Sequence, residues 1–265
     1  MTMTTSGPAP GYEAFAPFYD AFTAASDYET WTSHVLKLAE RHGLDGTLLL
    51  DVACGTGNSF LPFLERGFDV TGCDVSPGML AQASRKAPGI PLVEADIRQL
   101  PTLGAFDLVV CFDDSLNHLL SEEEFASALA SMANNVGPRG LLLFDLNTLL
   151  AYRTTFAADR VSVHHETTFV WHGECSTDAP PGCQAVACID VFDPREDGLY
   201  TRVSTHHPQR HFPPHRVTAL LAASGLECLG VYGVLDDGSH VVELDETRHF
   251  KAMYAAQPAK GGDPA

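Results

Sequence analysis

The segment Asp51-Val-Ala-Cys-Gly55-Thr-Gly57-Asn-Ser59 carries the strongest chemical signal in the chain. It follows an apolar run, Leu48-Leu-Leu50, and leads into a helix. Two glycines in such a turn let the backbone approach a ligand closely, and the free N–H groups at a helix start favour an anionic group. Asp74 closes the next strand, 17 residues beyond Gly57. In an open parallel sheet, ligands bind beyond the carboxyl ends of the strands where strand order reverses, and an acid at the second strand end can take ribose hydroxyls. The pair therefore fits an adenosine-containing ligand. A dinucleotide-binding turn would place a third glycine at position 60. Phe60 stands there instead, which disfavours a pyrophosphate cradle.

Histidine is the second source of chemistry, because it titrates near neutral pH and suits general-base work. Seven of the twelve histidines lie between His164 and His215. His118 is the candidate base, with Asn117 and His207 as candidate acceptor contacts. Arg210 is a further candidate, to hold an acidic group of the substrate, with a surface ion pair as the alternative. The seven cysteines are odd in number and contain no C-x-x-C pair, so neither a disulfide framework nor a standard zinc pattern emerges. His172, Cys175, Cys183 and Cys188 come nearest to a metal set. Their spacing straddles a Pro-Pro-Gly turn, and no metal is expected.

The elements that must position these residues follow a β-α-β-α rhythm. Strands are expected at 48–52, 68–73, 92–93, 108–112 and 140–145. Ser76-Pro77 and the capping box Ser121-Glu-Glu-Glu124 open two of the helices, the second running to about Val136. Two helices, broken near Asp27, precede them. Val161 to Trp171, Gln184 to Phe192 and Tyr200 to His211 are three alternating segments that read as antiparallel strands. A helix from Pro214 to Ser224 and strands at 226–234 and 248–254 return to the first pattern. The expected fold is α/β: a doubly wound, mainly parallel, Rossmann-like sheet with an inserted small antiparallel sheet. Residues 11–158 and 212–255 form the nucleotide-type domain with N-terminal lid helices, 159–211 the insertion over the acceptor, and 1–10 and 256–265 disordered tails.

Lys plus Arg is 16 and Asp plus Glu is 34, giving 16 − 34 = −18 with histidines neutral. Such a surface repels a phosphate backbone, so no nucleic-acid partner is expected. No apolar stretch suffices to span a bilayer, and the N-terminus lacks a secretory pattern, so no membrane partner and a cytoplasmic location are expected.

Together these motifs resemble the class I S-adenosylmethionine-dependent methyltransferases. The resemblance rests on the D-x-A-C-G-T-G loop and its following acid, on Glu94-Ala95-Asp96-Ile97 after the third strand, and on Pro138-Arg-Gly140-Leu-Leu-Leu before the fifth. A narrower likeness, to small-molecule methyltransferases of amino-sugar and natural-product type that carry an inserted sheet, comes from Cys111-Phe-Asp-Asp-Ser-Leu-Asn117-His118, from Thr205-His-His-Pro-Gln-Arg-His211 and from Tyr12-x-x-Phe15-Ala-x-Phe-Tyr19-Asp20. The resemblance implies S-adenosylmethionine as cofactor, with S-adenosylhomocysteine as product. Asp51, Ala53, Cys54, Gly55, Thr56 and Gly57 would form the loop around its methionine part, with Tyr19 above. Asp74 would bind the ribose, Val75 and Met79 would flank the adenine, Ala95, Asp96 and Ile97 would meet its edge, and Phe112 would stand at the mouth of the fourth strand. A small-molecule acceptor is implied, with N-methylation favoured over O-methylation because an acidic surface attracts amines. A monomer or homodimer is expected. The alternatives are a nicotinamide-dependent oxidoreductase and a non-catalytic S-adenosylmethionine-binding regulator.

Overall fold

The computed structural model describes residues 10–259. It opens with α1 (Pro10–Phe15), a 3-10 turn (Ala16–Phe18) and α2 (Tyr19–Phe22), followed by α3 (Tyr28–Arg41). The expected first helix is thus split into short turns, with Pro17, which has no N–H to donate, in the 3-10 turn. Asp27 does mark the break. Its side chain accepts from the Thr30 N–H at 2.9 Å and caps α3.

The alternating units follow as β1 (Leu48–Val52), α4 (Leu61–Glu65), β2 (Asp69–Asp74), α5 (Pro77–Lys86), β3 (Leu92–Glu94), β4 (Phe106–Cys111), α6 (Glu122–Ala133) and β5 (Val136–Asn147). Ser76 Oγ accepts from the Met79 N–H at 3.2 Å, and Ser121 Oγ from the Glu124 N–H at 3.1 Å, so both expected caps form. Helix α6 stops at Ala133, and Val136 already begins β5. The chain continues through α7 (Leu149–Thr154), β6 (Asp159–His164), β7 (Thr167–Glu174), β8 (Gln184–Pro194), β9 (Tyr200–Arg210), α8 (Pro214–Ala223), β10 (Leu226–Val234), β11 (His240–Val241) and β12 (Lys251–Pro258).

The large sheet has the order β11-β10-β12-β5-β4-β1-β2-β3. Strand β1 pairs in parallel with both β2 and β4, whereas β12 runs antiparallel between β5 and β10. Chain order therefore reverses between β1 and β4, and a crevice opens beyond their carboxyl ends. Consecutive residues of β1 serve opposite faces: Leu50 packs with Phe125, Leu129 and Phe144, while Leu49 packs with Val35, Phe63 and Val110. Burial on both faces explains the unbroken apolar run.

The second sheet has the order β6-β7-β8-β9, all antiparallel. The segment read as one strand from Val161 to Trp171 is a hairpin, because the chain reverses at His165 (φ 52°) and Glu166. A second correction concerns the ends. Strand β12 runs through Pro258 with Ala256 fully buried, so residues 256–258 belong to the sheet, and Pro10 already begins α1. The rest of both expected tails lies outside the described residues. Among the described residues no helix is long and apolar enough to cross a membrane.

Candidate functional site

The loop after β1 winds tightly, with Ala53 at φ 58°, Gly55 at φ 54° and Gly57 at φ 89°. A Cβ on Gly57 would lie 2.5 Å from Cζ of Phe60, so the ring that replaces the dinucleotide glycine packs directly beneath the loop. Asp74 ties this loop to the next: Oδ2 accepts from the Gly55 N–H at 2.9 Å and Oδ1 from the Ser76 N–H at 2.8 Å. Burial raises its pKa, against the lowering effect of those N–H groups.

Beside Asp74 lies a cavity of about 440 Å³, a volume suited to one nucleoside-sized ligand. Tyr19, Ala53 and Gly55 line it from above and behind, and Asp74, Val75 and Met79 from the β2–α5 turn. Ala95, Asp96 and Ile97 complete the far side. Both oxygens of Asp96 accept from Arg98, which also pairs with Glu124 at 2.7 Å, so an adenine amine would share that carboxylate. Against burial, Arg98 holds the Asp96 pKa below its ordinary value.

Four expected loop contacts lie behind this wall. Cys54 is buried with its thiol 3.0 Å from where a Cβ on Gly72 would stand, and Thr56 Oγ donates to Asp20 at 2.5 Å. Gly57 is filled from below by Phe60. Asp51 accepts from Ser59 Oγ at 2.5 Å through Oδ2, while its buried Oδ1 has no partner in the protein. Phe112 is buried at the end of β4, edge-on to Trp31. Burial pushes the Asp51 carboxyl up to about 8 from 3.8. Its stabilising contribution is complete below about pH 4 and is lost as pH rises towards 8, because the unfolded chain ionises first. Asp51→Asn is therefore expected to raise Tm more at pH 8 than at pH 5, measured by thermal melts at both pH values.

The N-terminal turns close over this cavity and are fastened at two points. Glu13 accepts from Ser76 Oγ at 2.6 Å and from the Gly78 N–H at 3.0 Å. Asp20 accepts from Asn58 Nδ2 at 3.1 Å and Lys86 Nζ at 2.9 Å. Tyr12 and Tyr19, each next to one of these anchors, also line a second cavity of about 880 Å³ that extends under the inner face of the small sheet.

Asp113 is the third residue common to both cavities. It and Asp114 follow β4 with φ of 56° and 52°, a left-handed conformation that aspartate tolerates better than most side chains. Tyr28 Oη donates to Asp113 at 2.9 Å, and burial raises the Asp113 pKa. Lys251 Nζ bridges Asp114, at 2.9 Å, and Asp145. Gln209 Nε2 donates to Asp114 at 2.5 Å and Gln209 Oε1 accepts from Asn147 Nδ2 at 3.0 Å. Although burial opposes the charge, Lys251 holds the Asp114 pKa down, while burial lifts Asp145 to about 6.

His118 lines the smaller cavity. Its Nδ1 lies 3.0 Å from the Pro208 carbonyl, which can only accept, so Nδ1 carries the proton. The lone pair on Nε2 therefore accepts from Tyr12 Oη at 2.8 Å. Burial lowers the His118 pKa and keeps the ring neutral near pH 7. His207 lines the larger cavity, 4.6 Å from the Tyr12 ring, with Nε2 on Thr205 Oγ at 2.8 Å and a buried, unpartnered Nδ1. Burial lowers its pKa to about 4.

Two expected acceptor contacts line neither cavity. Asn117 is fully buried, donating to Tyr152 Oη and the Arg210 carbonyl and accepting from the Asn147 N–H. Arg210 points the other way from its strand neighbour Gln209, donates to the Leu120 carbonyl at 3.0 Å and lies over Phe212. Among the described residues no group of three or more His, Cys, Asp or Glu is arranged to hold a metal. Sequence reasoning did not pick out Tyr12, Tyr28, Asp113, Asp114, Gln209 or Lys251 as site residues.

Known proteins resemble this chain in sequence and in fold. A family model described as a methyltransferase domain matches residues 49–140. A protein of Geobacillus sp. (strain WCH70) that bears a methyltransferase name is 35% identical over 226 residues, covering 83% of this chain and 90% of its own. The dTDP-3-amino-3,4,6-trideoxy-alpha-D-glucopyranose N,N-dimethyltransferase of Streptomyces venezuelae is 31% identical over 132 residues, 49% of this chain and 56% of that protein. Among solved structures, an S-adenosylmethionine-dependent methyltransferase from Clostridium acetobutylicum ATCC 824 superposes with a TM-score of 0.79 at 22% identity, over 94% of this chain and 99% of that one.

Proposed function

The chain belongs to the S-adenosylmethionine-dependent methyltransferases, and on that footing we propose that it methylates the nitrogen of a small amine-bearing acceptor. The observation that carries this reading is Asp113, a carboxylate at the junction of the two cavities with Tyr28 fixed on it. Methyl transfer moves positive charge from sulfur to the accepting atom. A carboxylate beside an amine stabilises the ammonium as it forms, whereas it would oppose the anionic character that a hydroxyl acceptor needs. An amino-sugar N,N-dimethyltransferase among the relatives supports the same choice.

The bound cofactor supplies a methyl group on a positively charged sulfur, and the smaller cavity is the place for it. Asp74 takes the ribose hydroxyls on lone pairs left over from Gly55 and Ser76, Val75 and Met79 cover the adenine faces, and Ala53 and Gly55 leave room for the methionine arm. The steric room at Gly55, which lines the cavity and where a Cβ would meet nothing within 4 Å, fits a ligand at this loop. Most of the acceleration then comes from alignment and exclusion of water by Tyr12 and Tyr19.

An amine must be neutral to attack. Tyr12 Oη keeps a free lone pair for an amine N–H, and as it takes that proton its own passes to Nε2 of His118, 2.8 Å away. The imidazolium so formed faces Asp114. Tyr12→Phe breaks this path and is expected to lower kcat about tenfold to hundredfold, with little change in S-adenosylhomocysteine affinity. The acid limb of the wild-type pH–kcat profile should fall below the ordinary histidine value of 6.5 and disappear in the variant, as read from rates across pH 5 to 9. The function itself is tested with S-adenosylmethionine labelled in the methyl group and a panel of primary amines, amino sugars, alcohols and carboxylic acids. Label is expected on nitrogen. Transfer confined to hydroxyl or carboxyl acceptors overturns the reading.

A further inference from the structure

The larger cavity is electrically lopsided. Its charged lining is acidic at Asp27, Asp113, Asp114, Asp236 and Asp237, and Lys251 is committed to Asp114 and Asp145. The other cation in the wall is Arg160, on the first strand of the small sheet. Arg160 stands opposite Trp171 and Trp171 opposite Ile189 in the strand register, so all three share the face turned to the cavity. Among the described residues Arg160 has no hydrogen-bond or ion-pair partner. Its guanidinium carbon lies 4.8 Å from the centre of the Trp171 ring, and that ring is fixed in turn by Nε1 donating to the Thr155 carbonyl at 3.2 Å. Phe156 meets Trp171 edge-on at 5.3 Å, and Phe22 lies nearly parallel to it. A protein with 34 acids against 16 bases thus carries an exposed, unpaired arginine in the wall of the larger of these two cavities, on an aromatic shelf.

We propose that Arg160, backed by Trp171, is a subsite for an anionic oxygen group, phosphate or carboxylate, carried by the acceptor at the end away from its amine. The proposal rests on the reading of this cavity as the acceptor chamber of a methyltransferase. A planar guanidinium stacked on an aromatic face presents its N–H fork sideways, where an oxyanion can bind it in two-pronged fashion. The shelf of Trp171, Phe22 and Phe156 offers apolar surface to whatever ring carries that group. The chamber then favours acceptors that are cationic at the Asp113 end and anionic at the Arg160 end.

The test uses the full chain saturated with S-adenosylhomocysteine and reads the tryptophan emission. Trp31 and Trp171 are the two tryptophans of the chain, and both line this cavity. Phenyl phosphate, benzoate and benzyl alcohol are titrated into wild type and Arg160→Gln. At least one of the two anions is expected to bind wild type and to weaken about tenfold in the variant, with Arg160→Lys between them and benzyl alcohol unchanged. The anion that suffers more identifies phosphate or carboxylate as the natural group. No anion binding to wild type, or equal binding to both proteins, overturns the subsite. Calorimetry with S-adenosylhomocysteine separates the two levels of the claim. A wild type that does not bind it counts against the methyltransferase site itself, whereas normal binding with anion affinity indifferent to Arg160 counts against the subsite alone.

Discussion

Asp113→Asn is expected to lower kcat about 100-fold while leaving S-adenosylhomocysteine affinity within about twofold, as measured by initial rates and calorimetry on the same preparation. Asparagine adopts the left-handed conformation at φ 56° as readily as aspartate, and its side chain can still accept from Tyr28, so the turn keeps its shape. What disappears is a negative charge at the point where both cavities meet. If the carboxylate stabilises the ammonium only as it forms, kcat and kcat/KM fall together. A rise in KM with unchanged kcat would reduce Asp113 to a binding contact. Tyr28→Phe, which leaves the charge and removes one donor, should cost far less.

Asp74→Ala is expected to weaken S-adenosylhomocysteine binding about 30- to 100-fold, because two hydrogen bonds from ribose to a charged acceptor are lost at once. The same substitution strips the Gly55 and Ser76 N–H groups of their buried acceptor, so Tm should fall by an amount equivalent to about 1 to 3 kcal/mol. Asp74→Asn retains one acceptor oxygen and separates the two effects: it restores part of the fold's stability and little of the affinity. Unchanged calorimetric affinity in Asp74→Ala would remove Asp74 from the cofactor site.

The turn around Asp51–Gly57 and the position of Asp74 were legible because each belongs to a strand end or the loop after it, whose geometry is local, whereas that Asp51, Cys54, Thr56 and Gly57 stand behind the cavity wall depends on packing that local sequence does not show. The strand alternation of the large sheet was equally local, and it fixes where the crevice opens. The acceptor side was not readable in that way. Asp113 owes its importance to Tyr28, and Asp114 to Lys251, 137 residues further on, and only the sheet order brings β12 beside β5 and near the end of β4. Likewise, His118 is an acceptor at Nε2 because Pro208, 90 residues away, fixes the other nitrogen. Arg210 shows a reading that a stricter use of period two would have corrected. His207 and Arg210 are three apart on one strand and must face opposite ways, so once His207 faces inward its inward neighbour is Gln209.

The lid has a kinetic corollary. Tyr12 and Tyr19 are at once the roof of one chamber and a wall of the other, fastened by Glu13 and Asp20 to the loops that surround the smaller chamber. If spent cofactor leaves by release of those fastenings, the same release unroofs the acceptor as well. Each methyl group delivered is then a separate visit. If the acceptor receives two, the singly methylated product mixes with the bulk pool before the second transfer, and it should build up early in a time course and be chased away by added unmethylated competitor.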